Sequence, residues 1–493
     1  MRIGPAESRV PAIGREPAAR SWGEFLGGPL GPHAAVGRQR WWTPLRVLIA
    51  LAVAFCSFGY AQKSPCFRSS IDEKGIASLD WSGFWQYTTA CYNDIIPLFA
   101  GRGLNTGGFP YAYSWQEDGL TRYLEYPVAT GYFQGIMGAF GRMVYRVLSI
   151  LPGATPPPSV IYFTITAGFL SLLWVLGIIM LAELAGNRVW DVVLIAASPV
   201  LIVHAFTNWD IPSIVCVIAA LWFVRRRRPG LAGVMLGLGT AFKLWPLYAF
   251  GAFLVLAVRN RRARPFLRML AGGVVSWILL NLPVMLLYPE AWSEFLRLNR
   301  ERSWEWTTIY AVLARATGWS GFDASSSTPT VLNTVSFLLF AGACLAIAGL
   351  GLGTRRTPRV AELLFLIVAA FLLVNKVWSP QYSLWLVVPA VLALPRWRLL
   401  LAWMCSEVLV WPILTWHMMG ADHHGLPGWV LNIAVLCRDG LIIAIAVLVV
   451  AQMLGKVKDK VEEAHAGRDP LAGDFGPRST SEADESAKET AAP

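Results

Sequence analysis

Hydrophobic residues fall into runs of about 15 to 25 separated by short polar or basic segments, the length a helix needs to cross a bilayer. About ten to twelve such runs can be traced. Most read as whole crossings: 46–61, 127–149, 159–184, 211–224, 266–288, 331–352, 360–375, 383–395, 399–416 and 429–453. Two stretches do not. Residues 187–210 are broken at Ser198-Pro199, and 229–258 are interrupted at Lys243 and Pro246 with arginine clusters at both ends. The second is too short for two spans, so it predicts a re-entrant pair of short helices, which survives in a membrane only where it lines a cavity in the protein. The pattern predicts an all-α, polytopic integral membrane protein of about 10–13 transmembrane helices, with a long first loop and short re-entrant helices. Residues 1–40 read as a disordered tail, 41–455 as the membrane domain with its first outer loop at 62–126, and 456–493 as a charged, largely disordered tail that begins with a short helix.

Charge changes the picture by giving the bundle a direction. The net charge is +11, but only 15% of residues are charged and 55% are hydrophobic. The basic residues cluster between spans (Arg225–Arg228, Arg259–Arg264, Arg355–Arg359, Arg396 and Arg398), which is the positive-inside signature and excludes nucleic acid as the reason for the charge. Arg38, Arg40 and Arg46 hold the N-terminus inside. A signal peptide ending near Ala61 is the competing reading, with a long leader for one. Both termini are then cytoplasmic in the plasma membrane, and 62–126, 206–210, 289–329, 375–382 and 416–427 share the outer (periplasmic) face. Those segments hold nearly all the polar residues that topology does not explain, so the chemistry is expected there.

Several constellations in these segments carry candidate chemistry. Asp94 lies among aromatics, where desolvation raises a carboxylate towards a useful base, or it simply caps a helix. Lys243 is an intramembrane cation, read as a phosphate ligand or as a snorkelling or structurally paired lysine. Lys376 runs against the positive-inside trend, as do Arg297, Arg300 and Arg302, and cations gathered outside ask for an anionic partner. Asn208 and Asp210 either orient a substrate or cap the following helix. Tyr92, Trp85 and Tyr126 belong to the aromatics that favour the bilayer interface and anchor the loop along it. Of seven cysteines, Cys66 and Cys91 share the first loop and form a disulfide candidate if that loop is outside. His417, Asp422, His423 and His424 have ligand-like chemistry at a spacing that matches no strong zinc pattern, so no metal is expected.

The ordered set CYNDI, RGL, GGFPY, LEYPV, ASPVLIVHAFTNWD, GLGTAFKLWPL and NKVWSPQY resembles the polyprenyl-phosphate-sugar-dependent glycosyltransferases of the GT-C class, specifically glycosyltransferase family 87 of actinobacteria, over about 40–455. The resemblance implies a GT-C-like bundle and an acidic general base in the first outer loop, which by motif is Asp94. It implies a hexosyltransferase, an α-mannosyltransferase by preference, that moves a sugar from a polyprenyl-phosphate donor to a cell-envelope acceptor, a glycolipid or polysaccharide. Inverting displacement then needs cations beside the leaving phosphate, with Lys243, Lys376 and Arg302 as candidates. Tyr92, Glu125, Tyr126, Asn208, Asp210, Gln381 and Tyr382 are the candidate substrate contacts. The expected partners are membrane lipid, donor and acceptor, without nucleic acid and without a cofactor beyond the donor substrate. The first loop is longer than expected for the enzyme that extends phosphatidylinositol mannosides, which points to a different acceptor. A lipid or sugar transporter or flippase is the alternative, and a non-catalytic envelope protein is a third. The transporter reading draws on broken hairpins and intramembrane charge, but no internal repeat is visible and the polar residues crowd one face rather than the midplane; the third is separated from an enzyme only by loss-of-function chemistry.

Overall fold

The computed structural model describes Ser21 and residues 41–71, 77–152, 155–323 and 328–477. The expectation for 1–40 lies outside these apart from Ser21, as does that for 478–493. The chain is an all-α, multi-pass membrane protein. Helices of seven or more residues are numbered in order: α1 Pro44–Lys63, α2 Ile95–Gly101, α3 Val128–Leu148, α4 Pro158–Leu184, α5 Ile211–Arg225, α6 Pro229–Phe242, α7 Leu247–Arg259, α8 Ala263–Leu287, α9 Pro289–Glu301, α10 Ile309–Thr317, α11 Thr330–Gly353, α12 Val360–Val374, α13 Leu384–Ala393, α14 Trp397–His417 and α15 Gly428–Met453. Among the described residues, six helices are long and apolar enough to cross a membrane: α1 (with the turn after it), α4, α8, α11, α14 and α15. The short apolar helices α5, α6, α7, α12 and α13 fill the interior, where the protein itself shields their ends.

The bundle has two chemically different ends. At one, the arginine clusters are tied down: Arg225 donates to the carbonyls at the end of α4, Arg259 to those at the end of α11, and Arg359 to Leu392 and Ala393. Residues 456–477, expected within a largely disordered tail, pack here. Asp459 bridges Arg356 and Arg359 at 2.7 and 2.6 Å, and the Phe475 side chain is fully buried. Their order comes from ion pairs to arginines about a hundred positions away, which no local composition reveals.

The other end is set by breaks. α5 starts just after Asp210, and its 15 residues rise only about 22 Å. Helices α6 and α7 climb to the same level and meet at Lys243, whose extended backbone (φ −153°, ψ 150°) stops α6 three residues before Pro246. This is the short helical pair the sequence predicts. It is held by close packing of α6 on α8, where a methyl group added at Gly233 or Gly237 would collide with the carbonyls of Met269 or Gly273. The 187–210 stretch breaks at Ser198-Pro199 as expected and resumes as a helix over Pro199–His204. The first loop contains short helices, but also two hairpins, Ser69–Ile71 with Ala77–Leu79 and Ser114–Glu117 with Leu120–Tyr123. The second turns on Asp118-Gly119, both at positive φ, the residues a two-residue hairpin turn favours.

Candidate functional site

The first loop owes its fixed position to the end of α1. Cys66 and Cys91 are disulfide-bonded, Gln62 donates to the Ala90 carbonyl at 2.6 Å, and Lys63 donates to the Tyr92 carbonyl at 3.0 Å. The chain then enters α2 through Asn93 and Asp94. Asn93 accepts from the Ile96 amide at 2.9 Å and so does the capping, while the Asp94 carboxylate makes no cap bond. Asp94 is thereby left free to face a cavity. Its amide donates to the Thr207 carbonyl at 2.8 Å, which docks it on the segment before α5. Tyr92 donates its hydroxyl to one carboxylate oxygen at 3.0 Å and Asn208 its amide to the other at 2.7 Å. Burial pushes the carboxyl up from its usual range, against the pull of those two hydrogen bonds and of Lys243.

Asn208 joins Asp94 to the cations. Its carbonyl oxygen accepts from Lys243 at 3.3 Å, and its amide also reaches the Tyr126 hydroxyl at 3.0 Å. Lys243 is 8% exposed, with the rings of Tyr126 and Tyr382 at 5.4 and 5.7 Å. Asp210 lies behind it at 3.6 Å, 1% exposed, accepting from the Trp385 indole at 2.9 Å. Asp210 makes no side-chain cap bond at the start of α5 and lines neither cavity described below, so it meets neither reading offered for it. It is the buried counter-charge of Lys243.

Two cavities meet at Asp94. The larger, about 500 Å³, is lined by Tyr92, Asp94, Glu125, Tyr126, Asn208, Lys243, Arg302, Lys376, Gln381 and Tyr382, with Leu244, Leu296 and Phe371 giving it an apolar wall. It gathers every sequence-nominated substrate and phosphate residue except Asp210. The second, about 390 Å³, shares Tyr92, Asp94, Arg302, Ser379 and Gln381, and adds Trp304, Glu305, Trp306, Trp378 and Trp411. Lys376, 7% exposed, donates to the Arg302 carbonyl, and among the described residues it has no carboxylate partner. Burial, then the nearby Arg302, bring its ammonium down to about 8. Arg302 pairs with Glu305 at 3.0 Å. Arg297 is taken up by Glu294 and Glu301 and lines neither cavity.

Some nominated groups are elsewhere. Trp85 anchors the loop through its indole on the Pro65 carbonyl at 2.7 Å. His417 is held by the Leu426 carbonyl at 2.7 Å and His423 lies against Phe84, so these two are engaged separately. Glu407, not among the nominated groups, lies mid-helix in α14, fully buried 4.0 Å from Arg438, which in turn supports the Thr307 carbonyl and the Trp378 ring. Sequence reasoning missed Arg102, which grips Glu125 in a two-pronged pair at 2.7 and 2.6 Å and lines the larger cavity. It also gave no cavity role to Glu305, which accepts the Ser379 hydroxyl at 3.1 Å and whose carboxyl burial pushes up. The motifs RGL, LEYPV and RSWEW contain these residues, but their pairing was not readable.

Residues 140–380, which carry Asn208, Lys243, Arg302 and Lys376, match the family model described as glycosyltransferase family 87. That stretch, a little under half of the chain, is similar to glycosyltransferase family 87. What that stretch is similar to is a family of glycosyltransferases, which weighs against the transporter reading. It is also 25% identical over 202 residues to GPI mannosyltransferase 1 of Kluyveromyces lactis, a stretch covering 38% of this chain and 48% of that relative, so the match spans about half of the relative's length. Asp94 lies outside the family-matched segment; its connection to the rest of the candidate site is the geometric one through Thr207 and Asn208.

Proposed function

We propose that the protein moves a hexose, mannose by preference, from a polyprenyl-phosphate donor to a glycolipid or polysaccharide acceptor on the outer face of the plasma membrane, with Asp94 as general base. The observation that carries this reading is the position of Asp94 between two cavities, one lined by Lys243, Lys376 and Arg302 beside an apolar wall, the other rich in tryptophan. The apolar wall suits a prenyl chain and the cations suit its phosphate. The name of the yeast relative favours mannose.

In this reading the acceptor hydroxyl attacks the sugar C1, Asp94 takes its proton, and the C1–O bond breaks with its electron pair leaving on the polyprenyl phosphate. Attack opposite the leaving group inverts the anomeric centre. The phosphate gains negative charge as that bond breaks, so fixed cations bind the transition state more strongly than the ground state, which is the differential that accelerates the step. Lysines can carry that charge, so the scheme asks for no metal. Positive-inside topology supports the outer face, where no nucleotide-sugar pool exists and a lipid-borne donor is the available form.

The test is transfer of labelled sugar by the purified protein in lipid, from polyprenyl-phosphate mannose to a membrane-lipid extract, with polyprenyl-phosphate arabinose alongside. Label in the lipid fraction from the mannose donor is expected. Transfer only from the arabinose donor would overturn the sugar, and transfer from a nucleotide sugar but from neither lipid donor would overturn the donor class.

A further inference from the structure

The stretch that forms α3 reads from sequence as a crossing, yet the helices before and after it rule that out. α1 ends beside the Asp94 segment, since Lys63, its last residue, donates to the Tyr92 carbonyl at 3.0 Å. α4 begins at that same end: Thr164 is hydrogen-bonded to Tyr60 of α1 at 2.9 Å, and the Phe163 and Phe67 rings meet at 5.3 Å. It finishes at the arginine end, where Arg225 holds its last carbonyl. The chain thus leaves α1 and enters α4 on one side of the bilayer, so it crosses an even number of times in between. Every other helix described between them has seven residues or fewer, and α3 is not among the helices long and apolar enough to cross.

Instead, α3 runs sideways between two spans. Its Tyr132 hydroxyl donates to the Leu280 carbonyl of α8 at 3.3 Å, and Gly141 packs on α4, where an added methyl group would stand 3.3 Å from the Tyr162 Cα. Leu280 lies about 10 Å inside the end of α8 and Tyr162 about 6 Å inside the start of α4, so the two contacts have similar depth. The face turned away from the protein carries Ile136, Phe140, Met143, Val147 and Ile150, spaced four and three apart in one stripe and 41% to 82% exposed. α3 has no acidic residue, and an exposed Arg146 stands beside the stripe. The stripe runs on into the exposed side of α4, with the Phe140 ring 6.0 Å from that of Phe169.

We propose that α3 lies in the plane of the bilayer, its stripe seated in the acyl chains of the leaflet at the Asp94 end and Arg146 among the phosphates of that leaflet. The occupant is lipid rather than a second copy of the chain, because the stripe is continuous with the surface of a membrane span and a cationic helix without carboxylates suits the headgroup layer. Tyr126 and Pro127, immediately before α3, line the larger cavity, so the seat fixes the height of the cavity's rim in that leaflet. The inference depends on neither the sugar nor the donor of the reaction proposed above.

The experiment places one spin label at a time on the full chain in lipid, at Ile136→Cys, Met143→Cys and Ile150→Cys, with the five free cysteines replaced by alanine and the Cys66–Cys91 bond kept. Collision with oxygen and with a water-soluble nickel chelate gives the depth of each label. Leu172→Cys and Ile179→Cys on the exposed side of α4, also seven positions apart, calibrate a crossing, with a step of about 10 Å. The three α3 labels are expected at one shallow depth, with oxygen favoured over the chelate. Depths that step from Ile136 to Ile150 as they do on α4 would overturn the proposal, because α3 would then cross. Labels favouring the chelate would overturn it in favour of water, and labels shielded from both and broadened by one another in favour of a second copy. A benzophenone amino acid in place of Phe140, in the chain with its own cysteines, repeats the test should the cysteine-free parent melt early. Cross-linking to lipid acyl chains is then expected, and cross-linking to protein alone would overturn the proposal.

Discussion

Lys243 is asked to do two things, and a double-variant cycle separates them. Its ammonium faces the cavity and also neutralises Asp210 at 3.6 Å, where Asp210 is 1% exposed and one of its oxygens has no hydrogen-bond partner among the described residues. Lys243→Met therefore leaves a buried carboxylate uncompensated, which costs about 3–5 kcal/mol of stability. It also removes one charged group from the leaving phosphate, a loss of about 100- to 1000-fold in kcat by analogy with single-donor deletions from other charge-stabilising sites. Adding Asp210→Asn removes the orphaned charge. The double variant is expected to regain most of the lost thermal stability while its transfer rate stays down. Melting in detergent and initial rates of sugar transfer in lipid give the two readouts. Recovery of both stability and transfer in the double variant would refute the reasoning, since Lys243 would then matter only as the partner of Asp210.

Other outcomes follow from the same site. Lys376, brought down to about 8 by burial and Arg302, loses its charge as pH rises through that value, so kcat/KM should fall above about pH 8, and Lys376→Arg should remove that alkaline limb. Reducing the Cys66–Cys91 bond, or replacing both cysteines with serine, opens a loop of sequence separation 25 and should cost about 3.5 kcal/mol on the chain-entropy model, with a several-fold drop in transfer because the segment before Asp94 loosens. Unchanged melting and rate after complete reduction would contradict this. Gly233→Leu should destabilise the bundle by more than about 3 kcal/mol, since the carbonyl of Met269 that it meets is backbone and cannot move aside; an unchanged melting temperature would count against that packing.

The helices were legible, since those described end within a few residues of the expected boundaries, but of the ten stretches read as whole crossings only six are long and apolar enough to cross among the described residues, and 211–224, 360–375 and 383–395 form short interior helices instead. The break at Lys243 was legible from a charge and a proline inside a run too short for two crossings. The substrate and phosphate residues nominated from sequence, Asp210 excepted, line the larger cavity, since a cation or acid on the wrong side of a topological pattern stands out. What stayed hidden was pairing at a distance. Asn93 and Asp94 are both able to cap a helix, and only the backbone decides that Asn93 does it and Asp94 is released. Asp210 looks like a ligand in FTNWD until Lys243 and Trp385, from two other helices, close around it. Arg102 with Glu125, Arg438 with Trp378, and Asp459 with Arg356 and Arg359 are likewise contacts between segments that carry no local mark of each other. The hairpin at Asp118-Gly119 did carry one, a two-residue turn signal between alternating residues, which the aromatic density of the loop obscured.

The central claim is that Asp94 removes the proton of the acceptor hydroxyl, and the most direct measurement is sugar transfer from polyprenyl-phosphate mannose by wild type and by Asp94→Asn, each shown to be folded by its melting curve and its donor affinity. Asparagine keeps the size of the side chain but cannot take a proton. Transfer by the wild type with a loss of at least about 100-fold in Asp94→Asn, at unchanged donor affinity, is the expected result. Equal transfer by both would leave the glycosyltransferase standing and contradict the assignment of Asp94 as its base.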